Sequence, residues 1–272
     1  MFEGHVKKMQ AVLVDPVEYS LPIGDELVPM NPYLGKKIKF THLGEIHCSN
    51  CGKRTKKSYS QGHCFVCMRK LAQCDLCIMK PETCHYHLGT CREPQWGEQF
   101  CFQDHYVYLA NSSGLKVGIT RHTQVPTRWV DQGATQALPI FKVKTRLQSG
   151  QVEMALKQYV SDKTDWRKML KGQAEVKDMQ AERDQLLLAA KDALSEVQKA
   201  NKEGDIELLT DAEPVTIQYP VLEYPEKVKS FNFDKTPDIE GVLMGIKGQY
   251  LILDNGVLNI RKFTSYNLQF DA

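Results

Sequence analysis

The sequence predicts an α+β protein in which a zinc-ribbon-like, cysteine-rich module precedes a small core of strands and helices, with β-structure at both ends. Three observations predict it. Four cysteines stand as C-x2-C-x12-C-x2-C, at Cys48, Cys51, Cys64 and Cys67. Apolar alternation broken by turn residues marks both termini. A helical apolar period marks residues 151–201.

Residues 1–46 are expected to form short strands. Residues 3–14 alternate loosely, Pro16, Pro22, Pro29 and Pro32 punctuate a loop, and Lys37-Ile38-Lys39-Phe40 alternates as a half-buried strand should. At the other end, residues 241–260 hold two hairpin signals, Lys247-Gly248 and Asp254-Asn255-Gly256, between apolar runs, which is the pattern of a meander. Neither end is long enough to bury a core alone. Residues 1–46 and 214–272 are therefore expected to pair in one small barrel-like domain, with the cysteine-rich module (47–105), a core segment (106–170) and a helical brace (171–213) inserted between them. In the helical stretch Val152, Leu156, Tyr159 and Val160 mark one apolar face, and Met179, Leu186, Leu187, Ala190, Leu194 and Val197 mark another.

Each C-x2-C turn aims two thiolates at one point, and two such turns complete a closed tetrahedral zinc site whose role is structural. Disulfides or inert buried thiols are the alternatives. No basic-then-apolar signal segment leads the sequence, and nine cysteines is an odd number, so a reducing cytoplasm is expected. The other five cysteines, Cys74, Cys77, Cys84, Cys91 and Cys101, follow at once with His85, His87 and His105 among them. Cys74-x2-Cys77 is a further knuckle with Cys84-x2-His87 as its natural partner, and Cys91 can replace either member. At least two zinc ions are expected, and Cys91, Cys101 and His105 with His85 could supply a third site.

The chain has 272 residues, 42% hydrophobic and 25% charged, which suits two or three folded modules. No apolar run approaches the ~20 residues that cross a bilayer. The net charge of +2 hides an asymmetry: between residues 36 and 80 ten Lys and Arg face only Glu45 and Asp75. Lys53, Arg54, Lys56 and Lys57, clustered between the knuckles, are the expected contacts to DNA or RNA phosphates, because counterion release rewards clustered cations.

Tyr106-Val107-Tyr108-Leu109-Ala110 reads as a strand, Asn111-Ser112-Ser113-Gly114 as a turn and residues 115–120 as the antiparallel partner. A helix with Arg128 and Trp129, a strand at residues 138–145 and a helix with Glu153 follow. Over these residues the chain resembles the GIY-YIG nuclease superfamily, whose core is a three-stranded sheet with helices. The resemblance implies that Tyr108 stands at the first signature's tyrosine, that Lys116-Val117-Gly118 aligns with the second signature, that Arg128 is the helix arginine and that Glu153 holds a divalent metal, Mg²⁺ or Mn²⁺. In such a site a phenol helps to deprotonate water, a guanidinium stabilises phosphate charge and a carboxylate anchors the Lewis acid. The sequence departs from the pattern where Tyr106 replaces the first glycine and Lys116 the second tyrosine, and Asp165 stands near the family's late asparagine.

The run Gly89-Thr90-Cys91-Arg92-Glu93-Pro94-Gln95-Trp96-Gly97, followed by residues 107–120, is also similar to an uncharacterised bacterial family of unknown function. Three functions are expected from these features: a metal-dependent phosphodiesterase acting on nucleic acid, a non-catalytic nucleic-acid binder in which Lys116 contacts phosphate, or a zinc-stapled protein docking scaffold without nucleic acid.

Overall fold

The computed structural model describes residues 1–161, 163–172 and 174–272. Strands β1 (Phe2–His5), β2 (Gln10–Val12), β3 (Glu18–Ile23), β4 (Glu26–Pro29) and β5 (Lys37–Ile46) lead the chain. The cysteine-rich segment carries helices α1 (Phe65–Lys70) and α2 (Pro94–Cys101), joined by short 3-10 turns. Then come β6 (His105–Asn111), β7 (Leu115–Arg121), α3 (Thr127–Asp131), β8 (Gln136–Val143) and α4 (Arg146–Leu156). Helices α5 (Trp166–Met169), α6 (Met179–Ala189) and α7 (Lys191–Lys199) precede the final strands β9 (Ile206–Leu208), β10 (Val215–Thr216), β11 (Asp238–Lys247), β12 (Tyr250–Leu253), β13 (Gly256–Asn259) and β14 (Tyr266–Asp271).

The two ends of the chain share one six-stranded antiparallel sheet, in the order β1-β14-β5-β11-β12-β13. Its central pairings set Phe40 opposite Ile239 and, across the other edge of β5, opposite Phe270. The alternation read in the sequence is the cause: Ile38 and Phe40 are buried while Lys37 and Lys39 point outward, as Tyr266, Leu268 and Phe270 are buried in β14. The expected barrel is not there, because β1 and β13 end the sheet without pairing with each other. A separate three-stranded sheet, β2-β3-β4, buries Tyr19, Leu21, Ile23 and Val28 in the same core as Phe40, Leu243 and Phe270. A covered face needs no closure to be dry.

The central sheet runs β10-β8-β6-β7, with β9 also paired to β8. It has five strands where the sequence suggests three, since β9 and β10 are too short to announce themselves. Both faces are covered. Tyr108, Ala110 and Ala137 join the core of the terminal sheets together with Trp129 and Val130, whereas Val107, Leu109, Val117, Leu138 and Ile140 pack on α4, α6 and α7. Local signals position the helices. Thr145 and Gln148 form a reciprocal capping box on α4, and Asp178 caps α6 by accepting from the Gln180 and Ala181 backbone. Val152, Leu156, Met179, Leu186, Ala190 and Leu194 are buried as their spacing predicts. Tyr159 is not; α4 ends at Leu156, so Tyr159 falls beyond the helix and is exposed. Among the described residues no helix is long and apolar enough to cross a membrane.

Candidate functional site

Cys48 and Cys51 lie in the tight turn that leaves β5, where Cys48 donates its backbone N–H to the Lys53 carbonyl and Gly52 donates to the Cys48 carbonyl. Cys64 caps α1, its sulfur accepting from the Cys67 N–H at 3.4 Å, and Cys67 follows one turn later. The four sulfurs lie within 4.8 Å of one another, and Cys51 Sγ is 3.8 Å from Cys64 Sγ. A tetrahedron of ~2.3 Å Zn–S bonds has an edge of about 3.8 Å. The set can hold a zinc ion. Burial alone would push the Cys48 thiol up, yet backbone N–H groups of Cys64, Cys51 and Asn50 bring it down to about 6, so a thiolate is favoured where a ligand is needed.

A second group, Asp75, Cys77 and His85, also brings its ligand atoms within 4.8 Å. Asp75 Oδ2 accepts from Arg92 Nε at 2.6 Å and lies 3.5 Å from His85 Nε2, while Oδ1 accepts from the Leu76 N–H. Burial, then the charges of Asp75, Cys84 and Cys101, push the Cys77 thiol up to about 11. Cys84, Cys91 and Cys101 are half-buried nearby, the Cys101 thiol feeling both of the others. Cys74 instead faces Ser60 and the Cys48 thiol. His87 is exposed and outside the group. His105 is buried in β6 with Nδ1 2.7 Å from the Gln103 carbonyl, so Nδ1 carries the proton. Asp75 is the ligand-type residue that the cysteine and histidine pattern misses.

The signature residues gather around Tyr108 and the Gln132 side chain. Tyr108 pairs with Gly118 across the β6–β7 hairpin, and its ring lies on that glycine: a Cβ there would sit 2.7 Å from Tyr108 Cζ and Oη. Tyr108 Oη donates to Gln132 Oε1 at 3.2 Å, the same oxygen that accepts from Lys116 Nζ at 2.5 Å. The Arg128 guanidinium and the Glu153 carboxylate both lie within electrostatic reach of the Tyr108 hydroxyl. Burial raises the Tyr108 pKa and Glu153 adds to it, against the lowering by Arg128 and Gln132. Tyr108 therefore stays protonated at neutral pH and acts as a donor. It is fully enclosed and Lys116 is 4% exposed, whereas Arg128 and Glu153 are half-buried. Gln132, which the resemblance does not point to, is the residue that ties the cluster together. Asp165 is elsewhere engaged: it caps α5, accepting from the Arg167 and Lys168 backbone.

Lys53, Arg54, Lys56 and Lys57 are all exposed. Arg54 reaches the Gly44 carbonyl at 3.3 Å and lies 3.9 Å from Glu45. A cleft of about 410 Å³ opens between Tyr106, His122, Val125, Pro139 and Leu209, and its lining includes none of the cluster around Tyr108. Another, of about 440 Å³, runs beside the four-cysteine site, where His5 Nε2 meets His47 Nδ1 at 2.7 Å.

Residues 35–268 match the protein family described as Protein of unknown function (DUF2797). The chain belongs to DUF2797. In this member the match spans the cysteine-rich module, the central sheet and most of the terminal sheet. No curated protein and no solved structure matches this DUF2797 chain.

Proposed function

We propose that this DUF2797 protein is a zinc-stapled nucleic-acid-binding protein whose Tyr108 cluster is directed at a phosphodiester. The observation that carries this reading is the convergence of the Tyr108 hydroxyl and Lys116 on Gln132 Oε1, with Arg128 and Glu153 in electrostatic reach of Tyr108. Two cations, a phenol donor and a carboxylate in one place suit a developing phosphate charge. Arg128 and Glu153 are the charged members with open surface, so they are the ones to meet the substrate, whereas Tyr108 and Lys116 are enclosed and joined through Gln132. Mg²⁺ or Mn²⁺ at Glu153 would supply Lewis-acid activation of the phosphate. One zinc in the four-thiol set and a second around Cys77 keep the module folded, and the exposed Lys53, Arg54, Lys56 and Lys57 add attraction to phosphates.

The enclosure of Tyr108 and Lys116 favours a second reading, in which the same cluster docks nucleic acid or protein without cutting it. Cleavage assays with branched, single-stranded and structured DNA and RNA in Mg²⁺ or Mn²⁺ separate the two. Under the first reading Glu153→Gln abolishes cleavage and keeps binding, because removal of the metal-holding anion affects the transition state more than the ground state. Binding without any cleavage leaves the docking reading standing. Absence of both binding and cleavage at low salt would overturn the nucleic-acid assignment.

A further inference from the structure

The turn between the two knuckles is tethered on several sides and presents an aromatic pair to solvent. Tyr59 and His63 exchange backbone hydrogen bonds at 2.8 Å across residues 60–62. The Ser58 hydroxyl donates to the Thr264 carbonyl at 2.9 Å, and the Ser265 hydroxyl donates to the Gly62 carbonyl at 3.0 Å. Arg261 Nε donates to Gln61 Oε1 at 2.6 Å, so the turn is tied to the segment that leads into β14. Cys64 follows the turn and caps α1. Phe65, the first residue of α1, is thereby set beside Tyr59, with ring centres 5.6 Å apart and planes at 64°.

Packing does not account for these rings. Phe65 is 50% exposed, and neither it nor Tyr59 joins a buried core cluster. Positive charge surrounds them instead. Arg69, one helical turn on from Phe65, holds its guanidinium 5.9 Å from the centre of that ring; Lys70 follows it, and Lys56 and Lys57 lead into the turn just before Tyr59. All four cations are exposed, and among the described residues none of them forms an ion pair. The acids of residues 36–80 are occupied elsewhere, Glu45 at 3.9 Å from Arg54 and Asp75 with Arg92. Exposed rings among unpaired cations complement a ligand that carries flat faces and negative charge together. A carboxylate-rich peptide offers the charge without the faces.

We propose that Tyr59 and Phe65 form a stacking platform for unpaired bases of a single nucleic-acid strand, with Arg69, Lys70, Lys56 and Lys57 taking the flanking phosphates. The inference rests on the nucleic-acid reading above and adds to it the state of the strand, single rather than paired. Every base has a π face, so an aromatic platform binds single strands with little regard to sequence. In a duplex those faces are covered by neighbouring bases, and a surface ring gains nothing from them. The guanidinium over Phe65 adds a cation–π contribution. Because the turn is tethered to the segment before β14, little ordering cost opposes binding.

The test is binding of labelled oligo-dT, oligo-rU and a blunt DNA duplex to the full zinc-loaded chain over a salt series, with poly-glutamate as competitor. Phe65→Ala is expected to weaken both single strands about tenfold at every salt concentration, as the loss of one stacked base would, and to leave duplex binding and the salt slope as in wild type. Phe65→Trp should retain affinity. Lys56→Gln with Lys57→Gln should instead reduce the slope by about 1.4, at ~0.7 per single-strand phosphate contact. Zinc content and melting are checked for each variant. If Phe65→Ala loses its fold, photocrosslinking of oligo-dT carrying 5-iodouracil to the wild-type chain carries the test, with the label expected on Tyr59 or Phe65. Wild-type affinity in Phe65→Ala with the lysine variant impaired, an equal loss on single strand and duplex, or a crosslink confined to residues outside 56–70 overturns the platform and leaves the nucleic-acid reading intact. Displacement by poly-glutamate as effective as by unlabelled oligonucleotide also overturns it. A wild-type chain that binds no single strand and no duplex overturns both.

Discussion

Lys247 ends β11 with its side chain fully buried, and Lys247→Met tests how the terminal sheet tolerates that charge. Its ammonium donates to the Gly172 carbonyl at 2.9 Å and lies 5.4 Å and 5.2 Å from the ring centres of Tyr219 and Tyr224. No described carboxylate pairs with it, and burial lowers its pKa from 10.5 to about 8. The unfolded chain therefore binds more protons than the folded one between about pH 8 and 10.5, and stability rises with pH through that window. At about 1.4 kcal/mol per unit, the buried charge costs about 3 kcal/mol at pH 7 and about 1 kcal/mol at pH 9.5. Methionine keeps the apolar stem and removes this dependence. It also removes the hydrogen bond and the two ring contacts, each about 1 kcal/mol, so the variant is expected to be close to wild-type stability or slightly above it at pH 7. Urea unfolding of both proteins at about pH 7 and 9.5 should show wild type gaining about 2 kcal/mol on the variant. A difference that stays constant between the two pH values would refute a buried amine titrating near 8.

Cys48→Ser with Cys64→Ser should release one zinc per chain and lower the melting temperature, as judged by metal analysis and calorimetry; unchanged metal content would show that the four thiols are not a site. Gly118→Ala would drive a methyl against the enclosed Tyr108 ring and should destabilise by about 1–3 kcal/mol in denaturant titration, with stability equal to wild type as the contrary result. Gln249 accepts from the Met9 N–H at 2.8 Å and donates to the Met9 carbonyl and to Asp131. Gln249→Leu strands those groups in a buried place, and a loss of about 2–4 kcal/mol is expected from the same titration; a loss under about 0.5 kcal/mol would mean that water replaces the amide.

Short-range chemistry is what the sequence determines here. The C-x2-C spacing brings four sulfurs together because each knuckle is a local turn that needs no partner elsewhere in the chain. The alternation of Ile38 with Phe40, the hairpin around Lys247-Gly248 and the helical period through Leu186 and Leu194 likewise act within a few residues. Even the grouping of Tyr108 with Gly118 follows from one hairpin register. Only the tertiary structure decides what stands in sequence-distant company. Sheet closure depends on whether another layer covers the face, and β2-β3-β4 covers it. Asp75 and His85 rather than His87 approach Cys77, because 3-10 turns and the Arg92 ion pair set which side chains face inward. Gln132 reaches both Tyr108 and Lys116, although no spacing in the sequence links them. Burial removes water and lets these groups act on one another across elements, and burial is a property of the packed chain.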